Sequence, residues 1–111
     1  MQKYLEILSK LFEERDRLEK KRIRINPYKA GSDEKIKKLD VLIKENNQLI
    51  DQFEKIVKDF IDSQDAYTRE IIREHYYEGK GWNAVSGDIK TSESTPRMHI
   101  TRACEAWDYK K

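Results

Sequence analysis

Two interleaved seven-residue repeats in the middle of the chain constrain its fold most. Ile36, Ile43, Ile50 and Val57 recur every seven residues, and Leu39, Asn46, Phe53 and Phe60 recur every seven with an offset of three. A 3–4 alternation over four heptads places all eight side chains on one stripe of a single helix, as in a coiled-coil seam. No strand reading accommodates that period. Leu42, Leu49 and Ile56 widen the stripe on one side, which suits a helix touching more than one neighbour. Asn46 is polar within the seam. Such a residue costs stability and can fix register or oligomeric state, or else it faces water at an uneven contact.

The preceding segment is also helical. Tyr4, Leu11, Leu18 and Ile25 are spaced by seven, with Leu5, Ile7, Leu8 and Phe12 beside them. Asn26-Pro27 ends this helix, because proline disfavours helical backbone in the residue before it. Residues 26–32 form a loop, and Ser32 or Asp33 is placed to cap the next helix. A loop this short between two long helices implies an antiparallel hairpin. Two helices alone bury little, so their remaining faces need the C-terminal residues or a second copy of the chain. Homodimerisation through the hairpin is therefore expected.

Charge makes up 40% of the 111 residues and hydrophobic side chains 37%. Long helices with solvated faces explain that balance better than a thick globular core does. The net charge is only +2, unevenly spread: residues 1–30 carry 9 basic and 5 acidic side chains, residues 31–65 carry 6 and 9, and residues 66–111 carry 8 and 7. Opposite signs on the first two segments favour pairing them side by side. The last third is nearly neutral, so nucleic-acid binding there would rest on placement or on a second copy, not on bulk charge.

The single cysteine, Cys104, excludes an internal disulfide and favours a reducing, cytoplasmic setting. No apolar run approaches the roughly 20 residues of a membrane span, and Glu6 interrupts any signal-peptide core. No membrane partner is expected.

Residues 62–65 (Asp-Ser-Gln-Asp) end the long helix and can cap another. They divide the chain into a hairpin, residues 1–62, and a C-terminal module, residues 63–111. Within the module, residues 66–77 read as a helix with Tyr67, Ile71, Ile72, His75 and Tyr76 inward. Residues 78–81 (Glu-Gly-Lys-Gly) are a turn, and 82–89 a short helix burying Trp82, Val85 and Ile89. Small Ser86 and Gly87 permit close helix approach. Residues 90–95 turn again, and a last helix buries Ile100, Ala103, Cys104 and Trp107. Pro96 is tolerable in its first turn, with Ser94 or Thr95 as cap. The expected fold is all-α: a long antiparallel helical hairpin followed by a three-helix helix-turn-helix.

Other constellations carry little chemistry. His75, His99 and Cys104 lack metal-ligand spacing, no phosphate-cradling glycine loop occurs, and no catalytic carboxylate pair stands out among the solvated ones. An enzyme and a bound cofactor are not expected. Trp82 and Trp107 read as core anchors, and the run Lys20-Lys21-Arg22-x-Arg24 as a solvated helix end or an added phosphate contact.

The module resembles region four of the sigma-70 promoter-recognition factors. It is more similar still to phage and prophage transcriptional regulators of the ArpU or RinA type, with a long helical N-terminal part and a sigma-like helix-turn-helix at the end. The likeness is carried by residues 69–72 (Arg-Glu-Ile-Ile), 76–80 (Tyr-Tyr-Glu-Gly-Lys), 82–85 (Trp-Asn-Ala-Val), Ile89, Ser92 and 100–103 (Ile-Thr-Arg-Ala), over about forty residues. The chain departs from the pattern at three points. Lys90 stands where that group carries glycine, Pro96 or Arg97 where it carries an aliphatic residue, and Ile100 matches only with a turn one residue longer. The resemblance implies sequence-dependent binding of double-stranded DNA in transcriptional control of a phage or mobile element, in a bacterial host's cytoplasm. On that reading Thr95, Arg97, Met98, His99 and Arg102 face the bases. Lys80, Lys90, Lys110 and Lys111 hold phosphates, which position without specifying. Glu93, Glu105 and Asp108 should point away. The alternative is a protein-interaction module that engages RNA polymerase or another host or phage protein, with the helix-turn-helix merely structural.

Overall fold

The computed structural model describes residues 1–92 and 94–110. All regular secondary structure among them is helical. Helix α1 spans Gln2–Arg24, α2 Ser32–Ser63, α3 Ala66–Ile72, α4 Trp82–Asp88 and α5 Ser94–Tyr109, with a π-helical turn over Arg73–Tyr77 extending α3. The long axis measures 54 Å.

α1 and α2 form the expected antiparallel hairpin. Asn46 is buried in its seam, where its Nδ2 donates to the Leu11 carbonyl at 3.0 Å. A polar side chain in an apolar seam is tolerated only with such a partner. This one bridges the two helices and so ties one to the register of the other. The loop is closed differently from expectation. Gly31 takes the N-cap position in the left-handed region at φ +80°, with no side-chain cap, and the Ser32 hydroxyl donates instead to the Pro27 carbonyl at 3.0 Å.

The C-terminal helices pack against the hairpin's open end. Leu5 and Leu8 of α1, Ile50, Val57 and Phe60 of α2, Ile71 and Ile72 of α3, Tyr76, Val85 of α4, and Ile100 and Cys104 of α5 make one continuous core. That core crosses the division at residues 62–63, which separates two motifs rather than two independent cores. The Phe60 ring meets Trp107 edge-on, with centroids 5.5 Å apart. Among the described residues no apolar side chain between Leu18 and Ile50 is fully buried, so the opposite end of the hairpin projects from the core.

The π turn is the element with no sequence forewarning. The Glu78 N–H reaches the Arg73 carbonyl at 2.9 Å, five residues back. One inserted residue lets two adjacent tyrosines both find apolar surface. Tyr76 enters the core, and Tyr77 packs on Phe12 with centroids 4.9 Å apart. Gly79, at φ +74°, then turns the chain. Tyr67, expected inward, lies partly exposed instead, its edge against His99. Gly87 faces open space rather than a neighbouring helix.

Candidate nucleic-acid interface

Helices α3, α4 and α5 follow one another through two tight connections, and the second determines how α5 is presented. At the end of α4 the Thr91 N–H donates to the Ser86 carbonyl at 3.0 Å and the Lys90 N–H to the Gly87 carbonyl at 3.3 Å. These are the two bonds of a Schellman closure, which requires left-handed backbone at the residue after the cap. That residue is Lys90, at φ +54°, the only non-glycine with positive φ among the described residues. The chain therefore makes the glycine-type turn without the glycine.

α4 is itself held from both sides. The Ser86 hydroxyl donates back to the Trp82 carbonyl at 2.8 Å, and Val85 enters the core. The Trp82 ring stacks on His75, with centroids 3.7 Å apart and planes 16° from parallel. His75 Nδ1–H donates to the Lys80 carbonyl at 2.7 Å, which fixes the turn between α3 and α4. Burial holds the imidazole below the usual histidine range, opposed by its bond to that carbonyl.

α5 begins within this frame. Ser92 and Thr95 share a hydroxyl–hydroxyl bond of 2.6 Å across its first turn. Pro96, Ile100 and Cys104 are buried and Ala103 and Trp107 half-buried, at helical spacing along its inner face. Burial pushes the Cys104 thiol up to about 11, so it behaves as a small apolar side chain. Thr95, Met98 and Arg102 are exposed at spacings of three and four, which puts them on one outer face, with exposed Arg97 beside it.

His99 lies apart from that group. It is half-buried, its Nε2 lies 2.7 Å from the Thr68 hydroxyl, and its ring meets Tyr67 edge-on. Its Nε2 is engaged with α3, so the ring braces α5 against that helix. Thr68 is buried, and its own N–H donates to the Asp65 carboxylate at 2.8 Å as part of the α3 cap.

The expected phosphate contacts are spread out. Lys80 Nζ lies 3.0 Å from Glu74, 2.9 Å from Asp88 and 3.6 Å from Glu78. Three carboxylates already neutralise it, so a phosphate would have to compete with them. Glu74 is itself buried, with one oxygen on Lys80 and the other without a hydrogen-bond partner. Lys90 and Lys110 are exposed and unpaired among the described residues, and Lys111 lies outside them. Of the carboxylates expected to point away, Asp108 is bound at 2.9 Å by the Met1 amino group. Glu105 is exposed, and Glu93 lies outside the described residues.

Among the described residues no group of three or more histidines, cysteines and carboxylates is placed to hold a metal ion. No helix among the described residues is long and apolar enough to cross a membrane. Compared with known proteins, the chain matches no family model, no curated protein and no solved structure.

Proposed function

We propose that this chain is a non-catalytic, sequence-dependent binder of double-stranded DNA, acting in transcriptional control of a phage or mobile element in the bacterial cytoplasm. One observation carries the reading. A Schellman closure at Lys90 delivers α5 with its apolar face anchored and with Thr95, Met98 and Arg102 on one free face beside Arg97. A helix-turn-helix needs that arrangement to present its last helix to a major groove. The two arginines suit guanine O6 and N7, and the threonine and methionine suit a thymine methyl. The similarity to sigma-like regulators supports the same reading from the sequence side.

Two copies fit this function better than one, because the module is nearly neutral and one recognition helix supplies few contacts. Val41, Leu42, Leu49 and Ile56 form a half-exposed stripe along α2, and this face is where a second copy would dock.

The test is fluorescence anisotropy on duplexes taken from the DNA upstream of the protein's own operon, beside random duplexes. Arg102→Ala should weaken the specific site by roughly 5- to 150-fold, the worth of one bidentate base contact, and change random binding little. Equal loss on both would remove Arg102 from base readout.

A second reading has its own observation. Glu74, Glu78 and Asp88 occupy Lys80, which lowers the module's capacity for phosphate and favours a protein partner such as RNA polymerase. Absence of DNA binding at low salt, together with capture by purified polymerase, would establish that alternative.

A further inference from the structure

The hairpin's projecting end carries the strongest local charge in the molecule. Residues 20–38 hold eight basic side chains against two acidic ones, Asp33 and Glu34. That is a net +6 on a chain whose total is +2, which leaves −4 for everything else. The flanking Asp16 and Asp40 neutralise Lys20 and Arg22, and the excess that remains is the largest source of long-range attraction for a polyanion.

Several of these cations are free. Lys20 is paired with Asp16, Arg22 with Asp40 and Lys38 with Glu34. Arg24, Lys29, Lys35 and Lys37 are exposed and make no ion pair among the described residues. Three of them, Arg24, Lys29 and Lys35, line a cavity of about 250 Å³ together with Ile25, Asn26 and Ser32. No carboxylate lines it.

The loop between the helices is preorganised. The Asn26 side chain accepts from the Tyr28 N–H at 3.0 Å, and the Lys29 and Ser32 N–H groups donate to the Asn26 and Lys29 carbonyls at 3.2 Å each. Tyr28 stands 95% exposed beside these cations and Ile23 82% exposed. The core leaves both unused.

We infer that the hairpin tip is a second nucleic-acid contact, in which Arg24, Lys29 and Lys35 grip the phosphate backbone and Tyr28 lies against sugar or base. The inference rests on the DNA-binding reading but uses a different surface from α5. Phosphate contacts need convergent point charges and little buried area. A stable protein interface needs about 800 Å² per partner with an apolar centre. The tip offers the former: unpaired cations around a cleft, with only two scattered large apolar side chains.

The experiment measures affinity for a random-sequence duplex as a function of salt, using the full chain, R24A/K29A/K35A and R97A/R102A. Each phosphate contact contributes about 0.9 to the slope of log affinity against log salt. The triple variant should lose about 2.7 of that slope. The full chain should then lose about 40-fold more affinity than the triple variant between about 50 and about 200 mM salt. R97A/R102A should keep most of the slope. Unchanged helical circular dichroism and melting midpoint exclude a folding defect, since all three tip side chains are exposed. An unaltered slope in the triple variant overturns the tip contact and leaves the α5 reading standing. Tip-dependent binding that never distinguishes one duplex from another overturns the α5 reading and leaves the tip. No binding of the full chain to any duplex at about 50 mM salt overturns both, and an acidic protein surface then becomes the partner to seek.

Discussion

Lys90 carries a backbone conformation that its side chain disfavours. Left-handed backbone costs an L-residue roughly 1–2 kcal/mol, while glycine adopts it freely but loses about 0.5–1 kcal/mol more entropy on folding. Because Lys90 sits at φ +54° after α4, Lys90→Gly should stabilise the protein by about 0.5–1 kcal/mol, read from urea melts. Destabilisation would mean that the lysine side chain contributes more than its backbone costs. His75 gives a pH signature at the same scale. Burial against Trp82 lowers its proton affinity, and Arg97 does so further, while its bond to the Lys80 carbonyl and nearby Glu6 act the other way. A histidine whose folded value is lowered binds fewer protons folded than unfolded. Its stabilisation is therefore complete above the ordinary value near 6.5 and is lost as pH falls through the lowered folded value. Wild type should lose stability more steeply as pH falls below about 6.5 than His75→Phe, which keeps a ring on Trp82 but cannot titrate. Parallel decline of the two proteins would remove His75 as the cause.

Caps and turns, more than helix interiors, decide how the elements are aimed. Asp65 caps α3 through the Thr68 N–H, and the same Thr68 holds His99 of α5. This one cap thus connects the start of α3 to the middle of α5. Asp65→Ala should lower the melting midpoint by a few degrees at neutral pH. Its bonds to Thr68 hold the Asp65 carboxyl below the usual range, so the stabilisation is present above the unfolded value near 3.8 and is lost as pH falls through the lower folded one. The gap between variant and wild type should therefore close in strong acid, and a gap that persists there would assign the effect to something other than the charged cap. Most of the element pattern was legible in the sequence, because periodicity, Pro27 and the residues 62–65 each have a direct physical meaning. The π turn was not. One residue inserted within a five-residue stretch leaves the apolar spacing of Ile71, Ile72, Tyr76 and Tyr77 readable as ordinary helix. The Gly31 cap is no more legible, since Ser32 offers a better capping side chain but donates its hydroxyl to the Pro27 carbonyl.

At the scale of the whole molecule, what the sequence left open was which surfaces remain free. The helical spacing of α5 placed Thr95, Met98 and Arg102 together. Nothing in it told that His99 would turn to Thr68, or that three carboxylates from three segments would converge on Lys80. The first depends on packing between helices 31 residues apart in sequence, and the second on how the turn between α3 and α4 folds back, although all three carboxylates lie within eight residues of Lys80. The widened stripe of α2 is the reverse case: legible in the sequence, and left uncovered by the folded chain, with Leu42, Leu49 and Ile56 each about half exposed. From Leu42 to Ile56 the stripe runs about 21 Å along the helix. An antiparallel pairing of two copies about Leu49 sets Leu49 on Leu49 and each Leu42 opposite the other copy's Ile56. It also brings the exposed Lys38 of each copy close to the exposed Asp59 of the other. A parallel pairing would oppose like charges at both places. The antiparallel dimer therefore satisfies both the apolar stripe and its charged edge, and it sends the two basic tips to opposite ends of the assembly. With little area beyond the stripe itself, association should fall in the micromolar range. Light scattering should show the mass rising above the 13.3 kDa monomer as concentration passes through tens of micromolar, and Leu49→Glu should hold it at the monomer without loss of helix. A wild-type chain that stays monomeric at about 200 µM would show that α2 does not pair with itself, and the proposed DNA contact would then have to be made by one copy alone.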